Sequence, residues 1–112
     1  MKVLESYIEK SWGESADNPS ISDVQIAIEE TKNMDEEHAS FFVSVFGDEI
    51  EEVYIEVSKD LRVIVDFDPD NMFNIDEIET CAKSWVDVEE CFGYLLMGEV
   101  ANLKIWIENN RA

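Results

Sequence analysis

With 112 residues, 27 Asp or Glu against 8 Lys or Arg and a formal charge of −19, the chain reads as one acidic domain spanning residues 1–112. Nucleic acid and anionic membrane are excluded as partners, because phosphates and lipid headgroups are held by Lys and Arg that displace counterions. An aromatic content of 11% and an apolar fraction of 46% also exclude an acidic disordered tail, which lacks the surface to offset the entropy of ordering.

Val3 to Trp12 reads as the first strand, and Glu5 and Glu9 stand where a secretory signal carries its apolar stretch, so a cytoplasmic protein is expected. After Pro19 a helix begins, capped by Ser20 with Asp23 or by Ser22 with Gln25. It carries Ile21, Val24 and Ile28 along one side and runs to about Lys32. Ser40 to Phe46 sets Phe41, Val43 and Val45 on one face and Phe42, Ser44 and Phe46 on the other, the pattern of a central strand buried on both faces. Ala39 to Phe46 is also the longest nearly apolar run, far short of the about 18 residues a membrane span needs.

Val53, Ile55 and Val57 alternate with Tyr54, Glu56 and Ser58; the turn Ser58-Lys59-Asp60 leads into a strand of Leu61, Val63, Val65 and Phe67, which makes two hairpins. Ile78, Thr80 and Ala82 suit an edge strand. A late helix takes Asp87 as N-cap with Glu90 three residues on, and Gly98 as its left-handed C-terminal cap. Val88, Cys91, Phe92, Leu95 and Leu96 form one apolar stripe between them. Leu103 to Ile107 closes the chain as a strand. The expected fold is α+β: a mostly antiparallel sheet of about five or six strands with two helices packed on one face.

Catalysis finds no constellation. His38 is the only histidine, no nucleophile-elbow sequence accompanies it, and Gly13, Gly47, Gly93 and Gly98 build no phosphate loop, so no enzyme is expected. Cys81 and Cys91 form no CxxC pair and read as small buried apolar residues, and no cofactor is expected. From Asp66 to Glu77 the oxygen-bearing residues Asp66, Asp68, Asp70, Asn74 and Glu77 follow the spacing of a calcium loop. Asn71 stands where that loop needs glycine for its sharp turn, and a strand precedes it in place of a helix. The loop therefore reads as solvated, with a calcium-binding or other acidic adaptor domain as the alternative and Asp66, Asp68, Asp70 and Glu77 as its weak metal candidates.

Protein binding is the better reading of the charge, because an acidic surface attracts and steers a basic partner. The runs Asp35-Glu36-Glu37 and Asp48-Glu49-Ile50-Glu51-Glu52 flank opposite ends of the central strand. The second run makes a hairpin tip, so Asp48, Glu49, Glu51 and Glu52 are candidate contacts. Strand alternation adds Tyr54 with Glu56, and Trp106 with Lys104 and Glu108 beside it, while Phe41, Phe42 and Phe92 belong to core patterns.

Ser11-Trp12-Gly13 near the start, Asn18-Pro19-Ser20 leading into a helix that ends near Glu30, and Phe92-Gly93-Tyr94-Leu95-Leu96-Met97-Gly98 before a terminal strand bearing Trp106 span nearly the whole chain. In order and spacing they resemble the immunity protein family 1 of bacterial polymorphic toxin systems of the contact-dependent inhibition type. The resemblance implies a small cytoplasmic α+β protein, without catalysis, that binds and neutralises a cognate toxin C-terminal domain, often a deaminase or nuclease. A toxin that acts on nucleic acid needs basic residues around its cleft, which an acidic inhibitor covers.

Overall fold

The computed structural model describes residues 1–70 and 77–111, and those residues form a six-stranded sheet and three helices. The strands are β1 (Val3–Lys10), β2 (Ser15–Asp17), β3 (Ser40–Gly47), β4 (Val53–Ser58), β5 (Arg62–Asp66) and β6 (Glu77–Cys81), and the helices are α1 (Ile21–Asn33), α2 (Trp85–Leu96) and α3 (Val100–Asn110). The sheet order is β2-β1-β3-β4-β5-β6 with every pairing antiparallel, so the fold is α+β. The expected central strand is β3, and β6 is the expected edge. Among the described residues no helix is long and apolar enough to cross a membrane.

Residues directly opposite in antiparallel strands share a face. One face is the core: Ile8, Val43, Ile55 and Val65 lie opposite one another in turn, as do Phe41, Val57 and Val63, and all are buried. Val24 and Ile28 of α1, Val88, Phe92 and Leu95 of α2, and Leu103 and Ile107 of α3 close over them, with Phe92 stacked on Phe41 at 5.1 Å between ring centroids.

Local chemistry sets the helix ends. Ser20 Oγ accepts from the Asp23 backbone N–H at 3.3 Å, and Asp23 Oδ2 accepts from the Ser20 N–H at 2.8 Å, a reciprocal cap. The Ser20 N–H, aided by the Ser20 hydroxyl, holds the Asp23 carboxyl below its usual range. Its stabilising contribution is present above the ordinary carboxylate pKa and is lost as pH falls through the lowered one. α2 begins earlier than the Asp87 reading placed it: Ser84 is the N-cap, its Oγ accepting from the Asp87 N–H at 3.3 Å. Asp87 therefore sits at the third helical position, where an acid favours the helix dipole.

Gly98 closes α2 with φ +70°, as expected. The Glu99 N–H reaches Tyr94 O at 2.9 Å and the Gly98 N–H reaches Leu95 O at 3.1 Å, a Schellman pair of bonds. A side chain at Gly98 would strain φ and drive its Cβ into the backbone carbonyl of Met1. Gly98→Ala is expected to cost about 1–3 kcal/mol in urea unfolding. Gly93→Ala, inside α2 with nothing within 4 Å of the added Cβ, is expected to gain up to about 1 kcal/mol. Equal effects at the two positions would show that the turn geometry is not what Gly98 serves.

The last element is a correction. Leu103 to Ile107 belongs to α3, not to a closing strand, and a third helix joins the two expected ones. A half-buried strand would bury Leu103, Ile105 and Ile107 together; Leu103 is 1% and Ile107 3% exposed, but Ile105 is 58% exposed. Leu103, Trp106 and Ile107 share a helical stripe instead. Trp106 is consequently not a surface contact: it is 3% exposed and its indole N–H donates to Asp87 O of α2 at 3.0 Å. Cys91 is buried as expected, whereas Cys81 lies exposed on β6.

The β4–β5 turn is built without glycine. Leu61 adopts φ +70°, its N–H bonds Ser58 O at 2.9 Å, and its carbonyl accepts from the Ala82 N–H at 2.9 Å. Its side chain packs against the core, which offsets the cost of a left-handed leucine.

Candidate functional site

Among the described residues the helices cover one face of the sheet and leave the other without a helix. Two full lines of residues cross that bare face, from β2 to β6. In the first, Asp17, Tyr7, Ser44, Tyr54, Asp66 and Glu77 lie opposite one another in succession. In the second the succession is Ser15, Glu9, Phe42, Glu56, Ile64 and Glu79, and Glu5 lies opposite Phe46 beyond the first line.

The middle of this face is aromatic. Tyr7 meets Phe42 edge-on at 5.8 Å and stacks with Phe46 at 6.2 Å, and Phe42 lies against Tyr54 at 4.8 Å. An antiparallel sheet with one wet face ordinarily turns polar residues to water, so a half-buried group of rings there is a surface lacking a cover. Phe42, assigned to the core by the sequence pattern, belongs to this cluster because no helix lies over its side of β3. Six strands spaced about 4.8 Å apart give the face a width of roughly 29 Å, enough for the about 800 Å² that one side of a standard interface buries.

Carboxylates surround the rings. Asp17, Glu9 and Glu5 stand toward β2, and Glu56, Glu77 and Glu79 toward β6, while Asp66 between them is buried. Arg62 is the one base on this face among the described residues, and its Nε pairs with Glu79 Oε1 at 2.7 Å. Neighbouring Lys10 points to the helix side, where its ammonium bonds Glu30 and, at 3.2 Å, Glu14. Partial burial alone would lower the Lys10 pKa, but the bonds and charges of Glu30 and Glu14 outweigh it and raise the pKa.

Hydrogen bonds set two of the carboxylates in place. Ser44, buried at the centre of β3, donates its hydroxyl to Glu52 Oε2 at 2.7 Å. The Tyr54 hydroxyl donates to Glu56 Oε2 at 2.7 Å. Burial first, and the adjoining Glu56 carboxylate second, push the Tyr54 hydroxyl far up from its ordinary value, so it stays a donor at every physiological pH.

Of the residues proposed as contacts from sequence, Glu52, Tyr54 and Glu56 come together with this face. Asp48, Glu49 and Glu51 lie in the β3–β4 loop, where Asp48 Oδ1 accepts from the Lys2 N–H at 2.8 Å and Glu49 and Glu51 are exposed. Trp106 is on the opposite side of the sheet, under α2. Sequence reasoning missed Tyr7, Phe42, Phe46, Glu5 and Glu9. Their signal was present as the Glu5-x-Tyr7-x-Glu9 alternation, but only strand register places it beside Phe42 and Phe46.

The acidic loop after β5 carries less. Asp66 is 4% exposed, accepts from the Asp68 N–H at 2.8 Å and lies opposite Glu77, while Asp68 and Asp70 are exposed. Asn71, Asn74 and Asp76 lie outside the described residues. Among those described, no group of three or more His, Cys, Asp or Glu side chains is gathered as a metal site.

Repulsion among these acids tests the electrostatics directly. Pairing every base would still leave nineteen carboxylates uncompensated, the net charge of −19. Raising salt from about 0.01 M to about 0.15 M shortens the Debye length from about 30 Å to about 8 Å. The thermal unfolding midpoint is expected to rise as self-repulsion is screened; a fall would show that the ion pairs dominate.

Comparison with family models, with curated proteins and with solved structures finds no match. The functional reading rests on the geometry of the face and on the sequence resemblance.

Proposed function

We propose that the chain is an immunity protein, which binds a cognate toxin domain with a basic surface and neutralises it without catalysis of its own. The uncovered sheet face carries this reading: rings at its centre supply contact area, and carboxylates around them supply attraction for Lys and Arg. Hot spots of stable interfaces are aromatic groups ringed by polar residues that exclude water, and opposed charge raises the rate of encounter. A deaminase or nuclease toxin holds its nucleic acid with basic residues, so the inhibitor mimics the charge of that substrate and occupies its approach. Neutralising such a toxin before export places the chain in the cytoplasm of the producing cell.

The test is co-expression with a basic toxin domain encoded in the adjacent reading frame. Cells carrying both are expected to survive where the toxin alone kills, and the two chains are expected to co-purify in a stoichiometric complex. Survival without a complex, or no rescue by any basic neighbour, would overturn the reading.

A further inference from the structure

We infer that the depression at the Ser40 end of the open face is the seat of an arginine side chain of the basic partner, an inference that rests on the function proposed above. The depression encloses about 320 Å³ and is bordered by Glu9, Ser40, Phe42, Tyr54 and Glu56. That volume stands at the bottom of the range of small-molecule sites, about 300–1,000 Å³, and the depression opens onto a face already suited to a protein. A single side chain reaching in from a docked partner fits it better than a separate ligand.

Register supplies the chemistry. Glu9 lies opposite Phe42, and Phe42 opposite Glu56, so the phenyl ring sits between two carboxylates on adjacent strands. Among the described residues neither carboxylate is paired with a base. Lys10 also borders the depression, but Glu14 and Glu30 hold its ammonium. Tyr54 fixes Glu56 through its hydroxyl bond and leaves the remaining carboxylate lone pairs to accept more donors. A flat guanidinium seated there lies against Phe42, with an acid-bearing strand on each side. Arginine suits this arrangement better than lysine, because its fork of donors matches carboxylates and its plane stacks on a ring.

The chain already seats one of its own cations in this way. The Lys10 ammonium lies 5.9 Å from the centre of the Trp12 ring while bonded to two carboxylates. At Phe42 the ring and the acids are in place and the cation has to come from outside.

Argininamide is the probe. Titrated into the whole chain and followed by nuclear magnetic resonance, it is expected to give saturable shifts centred on Phe42, Tyr54 and Glu56. Lysinamide is expected to bind more weakly, and sodium chloride at matched ionic strength to produce no such focus. In the isosteric double variant Glu9→Gln with Glu56→Gln, argininamide affinity is expected to fall about tenfold or more, the worth of losing charge-assisted bonds. Glu29→Gln with Glu108→Gln removes the same charge from the helix side and is expected to leave binding unchanged. Shifts scattered over the surface, or equal affinity in both double variants, would overturn the seat.

A protection assay separates this result from the broader reading. If the Glu9→Gln, Glu56→Gln chain captures a cognate toxin as tightly as the native chain, the seat fails and the proposed function stands. If argininamide binds as described but no basic protein is neutralised, the function fails and the seat stands.

Discussion

Trp106→Ala is expected to lower stability by about 3–5 kcal/mol, the range for truncating a large buried aromatic side chain. The indole lies 3% exposed between α3 and α2, and the substitution both opens a cavity and removes the donor to Asp87 O at 3.0 Å. Small domains are stable by only about 5–15 kcal/mol, so the variant would stand close to unfolding. Its thermal midpoint is expected to fall by roughly 12–30 °C. Trp106→Phe, which keeps most of the volume but not the N–H, is expected to lose less. If Trp106 faced water from a terminal strand, truncation would change stability by no more than about 0.5 kcal/mol, so calorimetry of this one variant separates the two placements.

Reversing charge on the open face is expected to slow capture of a basic partner by about ten- to a hundredfold at low salt, within the range that steering supplies. Glu5→Lys, Glu9→Lys and Asp17→Lys together change one side of the aromatic cluster while leaving its rings in place. The matched control is Glu29→Lys, Glu90→Lys and Glu108→Lys on the three helices, which shifts net charge by the same amount. Stopped-flow association with the cognate toxin is expected to respond strongly to the first triple and weakly to the second. Equal slowing by both would mean that overall charge, and no particular face, guides the encounter. The difference between triples is expected to shrink as salt rises, because exposed charges are screened beyond the Debye length, about 8 Å at about 0.15 M.

Much of the fold was legible in the chain because its local signals agree. Ser20 and Asp23 cap α1 where the Ser-x-x-Asp spacing puts them, and the alternation through β3, β4 and β5 fixes which residues face the core. The errors have physical causes. Asp87 with Glu90 offers one capping pattern for α2, yet Ser84 stands three residues before Asp87 and is the cap. α3 reads as a strand from sequence because Leu103, Ile105 and Ile107 fit a period of 2, while Leu103, Trp106 and Ile107 fit a period of 3.6. Over so short a segment only packing under α2 decides between them.

The candidate face was less legible than the core. Tyr54 and Glu56 were found because they adjoin in sequence, whereas Tyr7, Phe42 and Phe46 come from two strands separated by β2 and α1. Helices on one face are expected from the sequence, but apolar residues on both sides of β3 fit burial on both faces equally well. Phe42 therefore reads as a core residue from sequence, although its side of β3 carries no helix.

Rings in the middle and acids at the margin also govern how copies of this chain treat each other. Two of these surfaces pressed together would oppose like charges, which disfavours pairing of copies through this face. Near pH 4.1, the isoelectric point that composition sets, the mutual aversion disappears while the rings remain, so clumping, read by light scattering, is expected there and not at neutral pH.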